Sequence, residues 1–201
     1  ASVNLAAETA SVEYLSGVAV ADLRAAIEGA GYSVPEVSPG EGPIARQERV
    51  QREEERALLS RLRVGVVLGV PLLLLSHWEM FAGHGSLPFS PFDAAVLQFL
   101  LATPIQFYVG ARFYRGAWLV ARHGSTDMNT LVALGTSVAY LYSAVAAFFP
   151  TLVTAEGLVV HLYFETSAAI IVLVLLGRYF ESRARGKTSE AVKKLIGLVP
   201  K

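Results

Sequence analysis

Cysteine is absent from this chain of 201 residues. Disulfide bonds and thiolate-ligated metal sites are therefore excluded within it, and cysteine usage leaves the redox state of its compartment open. A glycine-rich loop of the kind that cradles nucleotide phosphates is absent as well. We therefore expect no catalytic residue for nucleotide chemistry in this sequence.

An excess of either charge is also lacking, because 17 Lys and Arg residues balance 17 Asp and Glu residues. This balance gives no indication of a nucleic-acid partner, and we expect none. Hydrophobic residues make up 53% of the chain. That fraction excludes a disordered protein and is typical of a membrane protein, so the lipid bilayer is the first expected partner.

Positive charge is missing from two long stretches, Val64 to Ala111 and His123 to Gly177. Cytoplasmic loops of membrane proteins are enriched in Lys and Arg. The loops inside these two stretches are therefore predicted to face outward, and both termini are predicted to be cytoplasmic. We expect an integral protein of the cell (inner) membrane.

Long apolar segments predict a mainly α-helical membrane protein with four transmembrane helices arranged as two hairpins. Pro71 is expected to kink the first of them. A loop rich in glycine and proline follows the first span, and a turn beginning at Pro150 follows the third. The predicted spans cover about 64–81, 94–110, 128–149 and 158–180, within a transmembrane portion of residues 64–201.

The segment 111–122, after Gly110, alternates aromatic and basic residues at helical spacing. This pattern predicts a kinked amphipathic platform helix lying in the inner membrane interface, with Gly110 and Gly116 allowing the bend. A straight, longer helix with an aromatic belt is the alternative. A cationic platform could dock a soluble acidic donor. Its cations are Arg112, Arg115 and Arg122.

Residues 1–34 predict a partial α+β piece, and residues 35–63 a linker followed by a polar helix from Ile44. Two short strands and one helix are too few to cover a sheet face, so the piece is predicted to be half of a domain. The predicted elements are strands Ser2–Ala6 and Ser11–Leu15, a helix within Val18–Gly31, and a further candidate strand at Tyr32–Val34.

Two carboxylates of the fourth span, Glu165 and Glu181, are candidate functional groups, since an ionisable side chain at membrane depth is costly unless paired. The alternatives are an interfacial position for Glu165 and a solvated pair with Arg185 for Glu181. The two residues are sixteen positions apart, roughly 24 Å along a helix and roughly 160° around it. They are therefore expected at opposite ends of the span, facing different neighbours.

Met128 opens the third span at the predicted cytoplasmic interface, level with Glu181. A thioether and a carboxylate at one depth are candidate transient ligands for a soft monovalent metal, and simple packing is the alternative for Met128. His77, Met80 and His84 lie near the outer end of the first span. They are a candidate outward metal contact or ordinary interfacial residues.

Together these segments resemble the start of the membrane domain of copper-transporting P-type ATPases, from about Arg61 to Lys201. The first 34 residues resemble the second half of the ferredoxin-like heavy-metal-associated domain that precedes it, without the part whose cysteines bind metal. The resemblance is carried by Arg112–Trp118, His123–Ser125, Asp127–Gly135, Tyr163–Glu165, and Leu176–Arg178 with Glu181.

The resemblance implies roles for residues already singled out. Met128 and Glu181 match the cytoplasmic site that first accepts Cu(I), and Glu165 matches a carboxylate on the exit path. Gly110 matches the kink of the docking platform. The family often has two adjacent glycines at that kink, whereas here the neighbours are Val109 and Ala111. Asp127 does not match the acidic residue that a third helix contributes to the acceptor site.

The resemblance also implies an enzyme, a P-type Cu(I)-translocating ATPase, of which this chain forms one part. Cu(I) would be the transported ion. ATP and Mg²⁺ would bind to the remaining domains of the pump, outside this chain, and a soluble copper chaperone or carrier would dock on the platform. The expected function is therefore a segment of an ATP-driven Cu(I) export pump. The alternatives are a non-enzymatic four-helix scaffold or regulatory module, and a pump for a divalent metal such as Zn(II).

Overall fold

A computed structural model describes residues 2–4, 9–13, 19–29, 43–78, 90–153 and 161–196. The chain divides into two compact units, Ala1–Pro39 and Gly40–Lys201. The strand predicted at 32–34 and the candidate ligands Met80 and His84 lie outside the described residues.

The first unit contains two strands and one helix among its described residues. Strand β1, Ser2–Asn4, pairs antiparallel with β2, Thr9–Ser11, and Val3 lies opposite Ala10. The second strand therefore begins before the predicted position, Ser11. Helix α1 spans Val20–Gly29. A ferredoxin-like domain remains a prediction for this unit.

The second unit begins with one long helix, α2, which spans Pro43–Ser76. The sequence predicts a polar helix and a separate span because polarity changes near Arg63, but the backbone continues through the change. Ion pairs one turn apart support the polar half, such as Arg49 Nη1 to Glu53 Oε1 at 3.3 Å. The helix also continues through Pro71.

Helix α3, Pro91–Pro104, is capped by Ser90, whose Oγ accepts a hydrogen bond from the Asp93 amide at 3.1 Å. A single π-helical turn, Ile105–Val109, follows it. The Gly110 amide donates to the carbonyl of Ile105 at 2.9 Å, which closes this wider turn. Helix α4, Ala111–Ala121, starts directly afterwards and contains the residues predicted to form the platform.

Three further helices complete the described part of the unit. They are α5, Met128–Phe148; the short α6, Pro150–Val153; and α7, Phe164–Ile196.

Within the described residues, three helical stretches are long and apolar enough to cross a membrane: Glu48–Ser76, Pro91–Val109 and Met128–Phe148. A mainly helical fold with three candidate membrane helices is therefore confirmed. Helix α7 is not among the three. The fourth span and the pairing of four helices remain predictions.

The buried core of the second unit lies where α2, the π turn, α4, α5 and α7 meet. Gly65 on α2 allows a close approach to α7, because a Cβ there would lie 2.9 Å from Val172 Cγ2. Small residues permit such close approach between membrane helices. The largest fully buried apolar side chains are Phe113, Phe164, Leu72, Ile105, Ile171, Leu175 and Val109.

Helix α5 carries an exposed apolar face opposite this core. Four large side chains on it are more than half exposed, at spacings of three and four residues. Contiguous apolar surface of this kind is rare on soluble monomers and suits contact with lipid. The side chains are Leu131, Leu134, Val138 and Leu141.

Candidate metal-binding residues and docking platform

Met128 stands at the first position of α5, where a capping box fixes the helix start. Asp127 Oδ1 accepts from the Thr130 amide at 3.0 Å, and Thr130 Oγ1 accepts from the Asp127 amide at 3.4 Å. The cap places Met128 at the helix end with 45% of its surface exposed. Met128 is therefore exposed rather than part of the core.

Asp127 serves the cap as a carboxylate anion. Burial raises the pKa of Asp127, but hydrogen bonds from the Thr130 amide and from the Asn129 and Thr130 side chains outweigh this effect and lower the pKa overall. This structural role was not recognised in the sequence, although an Asp followed three residues later by Thr before an apolar run is a usable signal.

Glu181 pairs with a residue on the preceding turn of α7. Its Oε2 lies 3.6 Å from Nη1 of Arg178, and both side chains are partly exposed. Arg185, the partner that the sequence offers as an alternative, has a side chain outside the described part of the structure. Glu165 and Glu181 lie on one continuous helix, with Glu165 in its first turn and Glu181 roughly 24 Å further along, near its middle.

Glu165 lines a pocket of about 450 Å³. We call this the histidine pocket, and it is formed by Ser76, His77, Gln98, His161, Leu162, Tyr163 and Glu165. Glu165 Oε1 accepts from Thr166 Oγ1 at 3.2 Å, but its Oε2 is buried without a hydrogen-bond partner among the described residues. In the same part of the structure, Gln98 Oε1 is likewise buried and has no described partner. The sequence pointed to Glu165 and His77 but not to Gln98 or His161.

The three arginines predicted for the platform differ in their surroundings. Arg112 Nη2 donates to Glu54 Oε1 of α2 at 2.7 Å. The Arg122 guanidinium lies 5.4 Å from the centroid of the Trp118 ring, a cation–π distance. Arg115 is exposed and makes no ion pair with any described residue. The accessible positive charge of α4 is thus concentrated at Arg115 and Arg122.

Glycine is required at position 110. A Cβ added to Gly110 would collide with the carbonyl oxygen of Gln106 and would lie 3.2 Å from Ile171 Cδ1. Gly116 lies inside α4, which continues through it as helix, and the glycine has a packing role there. A Cβ at Gly116 would lie 2.9 Å from Asn129 Nδ2, so this glycine lets α4 approach the start of α5.

A buried glutamine, Gln106, joins four elements and was missed in the sequence. It is 1% exposed. Its Nε2 donates to the Tyr114 hydroxyl at 2.6 Å and to Thr136 Oγ1 at 3.2 Å, and its Oε1 accepts from Ser167 Oγ at 2.7 Å. The π turn is thereby tied to α4, α5 and α7. A glutamine inside an otherwise apolar span was the available signal.

No three His, Asp or Glu side chains in the described ranges are grouped so that they could hold a metal ion directly. Met128, Glu181 and Glu165 therefore remain candidate ligands, distributed along the helices rather than assembled into one centre.

Several known proteins are similar to this chain over 98–100% of its length. The probable copper-transporting ATPase PacS of Synechocystis sp. is 43% identical over 201 residues, which cover 98% of this chain and 26% of that protein. A copper-exporting P-type ATPase of Bacillus subtilis is 39% identical, and a probable copper-importing P-type ATPase A of Enterococcus hirae is 36% identical. Those two matches cover 100% of this chain and 24% and 26% of the respective proteins.

The chain matches no profile of a known protein family. The pairwise similarities nevertheless extend across both units and confirm the resemblance carried by the sequence blocks. The chain spans about a quarter of the length of the relatives described above. Over its whole length it is thus homologous to one part of the copper-transporting P-type ATPases.

Proposed function

We propose that this chain is a segment of an ATP-driven pump that exports Cu(I) from the cytoplasm. The observation that carries the proposal is its similarity, over 98–100% of its length, to proteins named as copper-transporting ATPases. ATP and Mg²⁺ would be bound by further domains of the pump. Copper appears in the name of each relative described above, so neither a divalent-metal pump nor a non-enzymatic scaffold is favoured.

Met128 and Glu181 form the proposed acceptor site for Cu(I) at the cytoplasmic side. Thioether sulfur suits the soft Cu(I) ion, and a carboxylate supplies the compensating negative charge. The exposure of Met128 supports this role, because an incoming carrier can reach the sulfur directly. Glu181 would exchange its contact with Arg178 for the ion.

The proposed donor is a soluble copper chaperone or carrier with an acidic surface, docking on α4. Arg115 and Arg122 support this role because their guanidinium groups are exposed, whereas Arg112 is already paired with Glu54. Opposite charge on the two partners would speed their encounter and orient the carrier.

Glu165 is the proposed carboxylate of the exit path. It lies in the first turn of α7, roughly 24 Å from Glu181, and presents to the histidine pocket a buried oxygen that has no hydrogen-bond partner among the described residues. Movement of the ion between the two stations would require the other domains of the pump, which would change the relative affinity of the inward and outward states.

Cu(I) binding to the chain in lipid nanodiscs, measured under reducing conditions with a competing chelator, tests the acceptor site. Substitution of Met128→Ala or Glu181→Ala is expected to lower the affinity about tenfold, the lower end of the range for altered metal sites. Leu131→Ala is the matched control, since Leu131 is exposed on the first turns of the same helix without being a ligand. Affinities that stay at the wild-type value in both variants would refute the acceptor site.

A further inference from the structure

Gly110 is the residue at which the backbone hydrogen bonding changes between the π turn and α4. Its amide donates to the carbonyl of Ile105, five residues back, at 2.9 Å. Its own carbonyl accepts from the amides of Phe113 and Tyr114 at 2.9 and 3.4 Å, three and four residues ahead. Helices bend at such changes of pattern, and single π turns are frequent at functional sites. Gly110 is therefore a hinge between the preceding span and α4.

The side chain of Gln106, one turn before this hinge, bonds to three other helices through a single amide group. Its Nε2 donates to Tyr114 of α4 at 2.6 Å and to Thr136 of α5 at 3.2 Å, and its Oε1 accepts from Ser167 of α7 at 2.7 Å. Gln106, Thr136 and Ser167 are each 1% exposed. Water has no access to replace a lost partner, so the loss of one bond leaves a buried polar atom unsatisfied and favours rearrangement of the amide.

We propose that Gln106 couples the direction of α4 to the position of α7, with Gly110 as the hinge. The amide plane of Gln106 is held on one side by Ser167 and on the other by Tyr114. When α7 moves and Ser167 leaves Oε1, the amide turns toward another donor and its bond to Tyr114 is lost. Helix α4 then changes its angle to α3. Gln106 is thus a positioning residue that acts through its neighbours on both helices.

A small change at the hinge has a large effect at the far end of α4. The helix contains 11 residues and is roughly 16 Å long, so a change of about 20° in its direction would move its last residue, Ala121, by roughly 6 Å. In the pump proposed above, and resting on that proposal, movement of α7 would thereby change how Arg115 and Arg122 face a carrier. The coupling itself uses side chains of this chain alone.

Distances measured by electron paramagnetic resonance on the chain in nanodiscs test the coupling. Spin labels at Ser60→Cys on α2 and Ala121→Cys on α4 would be placed at exposed positions, without background from native cysteine. Ser167→Ala alters only α7, yet it is expected to shift this distance by roughly 6 Å. Tyr114→Phe is expected to give a similar shift. The two substitutions together should give no more than either alone, because both act through Gln106.

Ser143→Ala is the matched control and is expected to leave the distance unchanged. Ser143 is a fully buried serine of α5 that also bridges two elements, since its Oγ accepts from the Tyr163 amide, just before α7, at 2.7 Å. Its own hydroxyl donates to the Ala139 carbonyl rather than to Gln106. A wild-type distance in Ser167→Ala or in Tyr114→Phe, additive shifts in the double variant, or an equal shift in Ser143→Ala would overturn the inference.

Met128→Ala separates this inference from the proposed function, because the distance measurement needs no metal. If Ser167→Ala keeps the wild-type distance while Met128→Ala loses affinity for Cu(I), the coupling is refuted and the acceptor site stands. If Ser167→Ala shifts the distance while Met128→Ala binds Cu(I) as the wild type does, the coupling stands and the acceptor site fails.

Discussion

At the scale of single residues, Asp127 shows how one side chain fixes where a functional group is displayed. Its carboxylate accepts hydrogen bonds from the first turn of α5, and Met128 is the next residue. The cap is therefore a positional requirement for the proposed acceptor site, although Asp127 itself is not expected to bind metal.

Asp127→Ala is expected to weaken the start of α5 by about 1 kcal/mol, the usual cost of losing an N-cap. Hydrogen exchange at the amides of the first turn, Thr130 above all, should then accelerate about fivefold relative to the wild type, because local opening becomes that much easier. Asp127→Asn retains a capping oxygen and should leave exchange near the wild-type rate. Equal hydrogen-exchange rates at Thr130 in the Asp127→Ala and wild-type chains would show that the Asp127 cap does not stabilise the start of α5.

The Asp127 carboxylate also makes the stability of the start of α5 depend on pH. The folded pKa of Asp127 is lowered, so its contribution to stability is present above the ordinary value of 3.8 and is lost as the pH falls through the lower folded pKa. Asp127→Asn should abolish this part of the acid dependence of exchange in α5.

The interruption at Gly110, before α4, could be predicted from the sequence, but the residues packed around it could not. Glycine after an apolar span suggested an interruption at position 110. The neighbouring residue, Val109, is fully buried. A glycine at position 109 would leave a cavity in the core. Such a reason depends on packing partners distant in sequence, which no local pattern contains.

At the scale of elements, the π turn and its glutamine hold the helices in register. Polar side chains form hydrogen bonds between membrane helices, and Gln106 forms such bonds with residues of α4, α5 and α7. Helix α5 could be predicted from its apolar length and its capping signal. The hydrogen bond between Gln106 and Ser167 could not be predicted, because the two residues are sixty-one positions apart. Hydrophobic periodicity does not indicate which helix faces pack against each other.

Gln106→Leu is expected to lower the free energy of unfolding by about 1–3 kcal/mol, because the buried hydroxyl of Ser167 loses its partner. Unfolding in detergent, without added metal, would measure the change. Ser167→Ala introduced together with Gln106→Leu should recover part of the loss, since no hydroxyl is then left unsatisfied at that position.

Gln98→Leu provides the contrast to Gln106→Leu. Gln98 is also buried, but its Oε1 has no hydrogen-bond partner in the described ranges that the substitution could remove. Without metal this change is expected to be close to neutral or stabilising. Equal destabilisation by both substitutions would show that the hydrogen bonds of Gln106 contribute nothing specific.

The predicted polar helix and the first predicted span belong to one continuous helix, for a physical reason. Polarity changes near Arg63, and the sequence pattern was divided there. A helix ends where its backbone hydrogen bonds end, and here the helix continues through Arg63 and Gly65. The single helix Pro43–Ser76 is the result.

At the scale of the whole molecule, the distribution of positive charge on α4 decides how a carrier would dock. Arg115→Glu and Arg122→Glu are each expected to slow association with an acidic Cu(I) carrier several-fold at low salt, and the difference from the wild type should shrink as salt screens the charges. Surface plasmon resonance on nanodiscs would provide the rates.

Arg112→Gln is the internal control for this prediction. Because Arg112 already pairs with Glu54 at 2.7 Å, its neutralisation should change the association rate less than either reversal. An effect of Arg112→Gln as large as that of Arg115→Glu would mean that the ion pair opens when the carrier arrives.

The unbroken length of α2 has a mechanical consequence. Its 34 residues extend roughly 51 Å, whereas the hydrocarbon core of a bilayer is roughly 30 Å thick. The helix therefore projects beyond the lipid, where Gln51 donates to the Ser182 carbonyl at 3.2 Å, and it reaches the histidine pocket at Ser76. One backbone therefore connects the Gln51–Ser182 contact to the histidine pocket, and we expect movement of the polar end of α2 to reach the pocket along the helix itself.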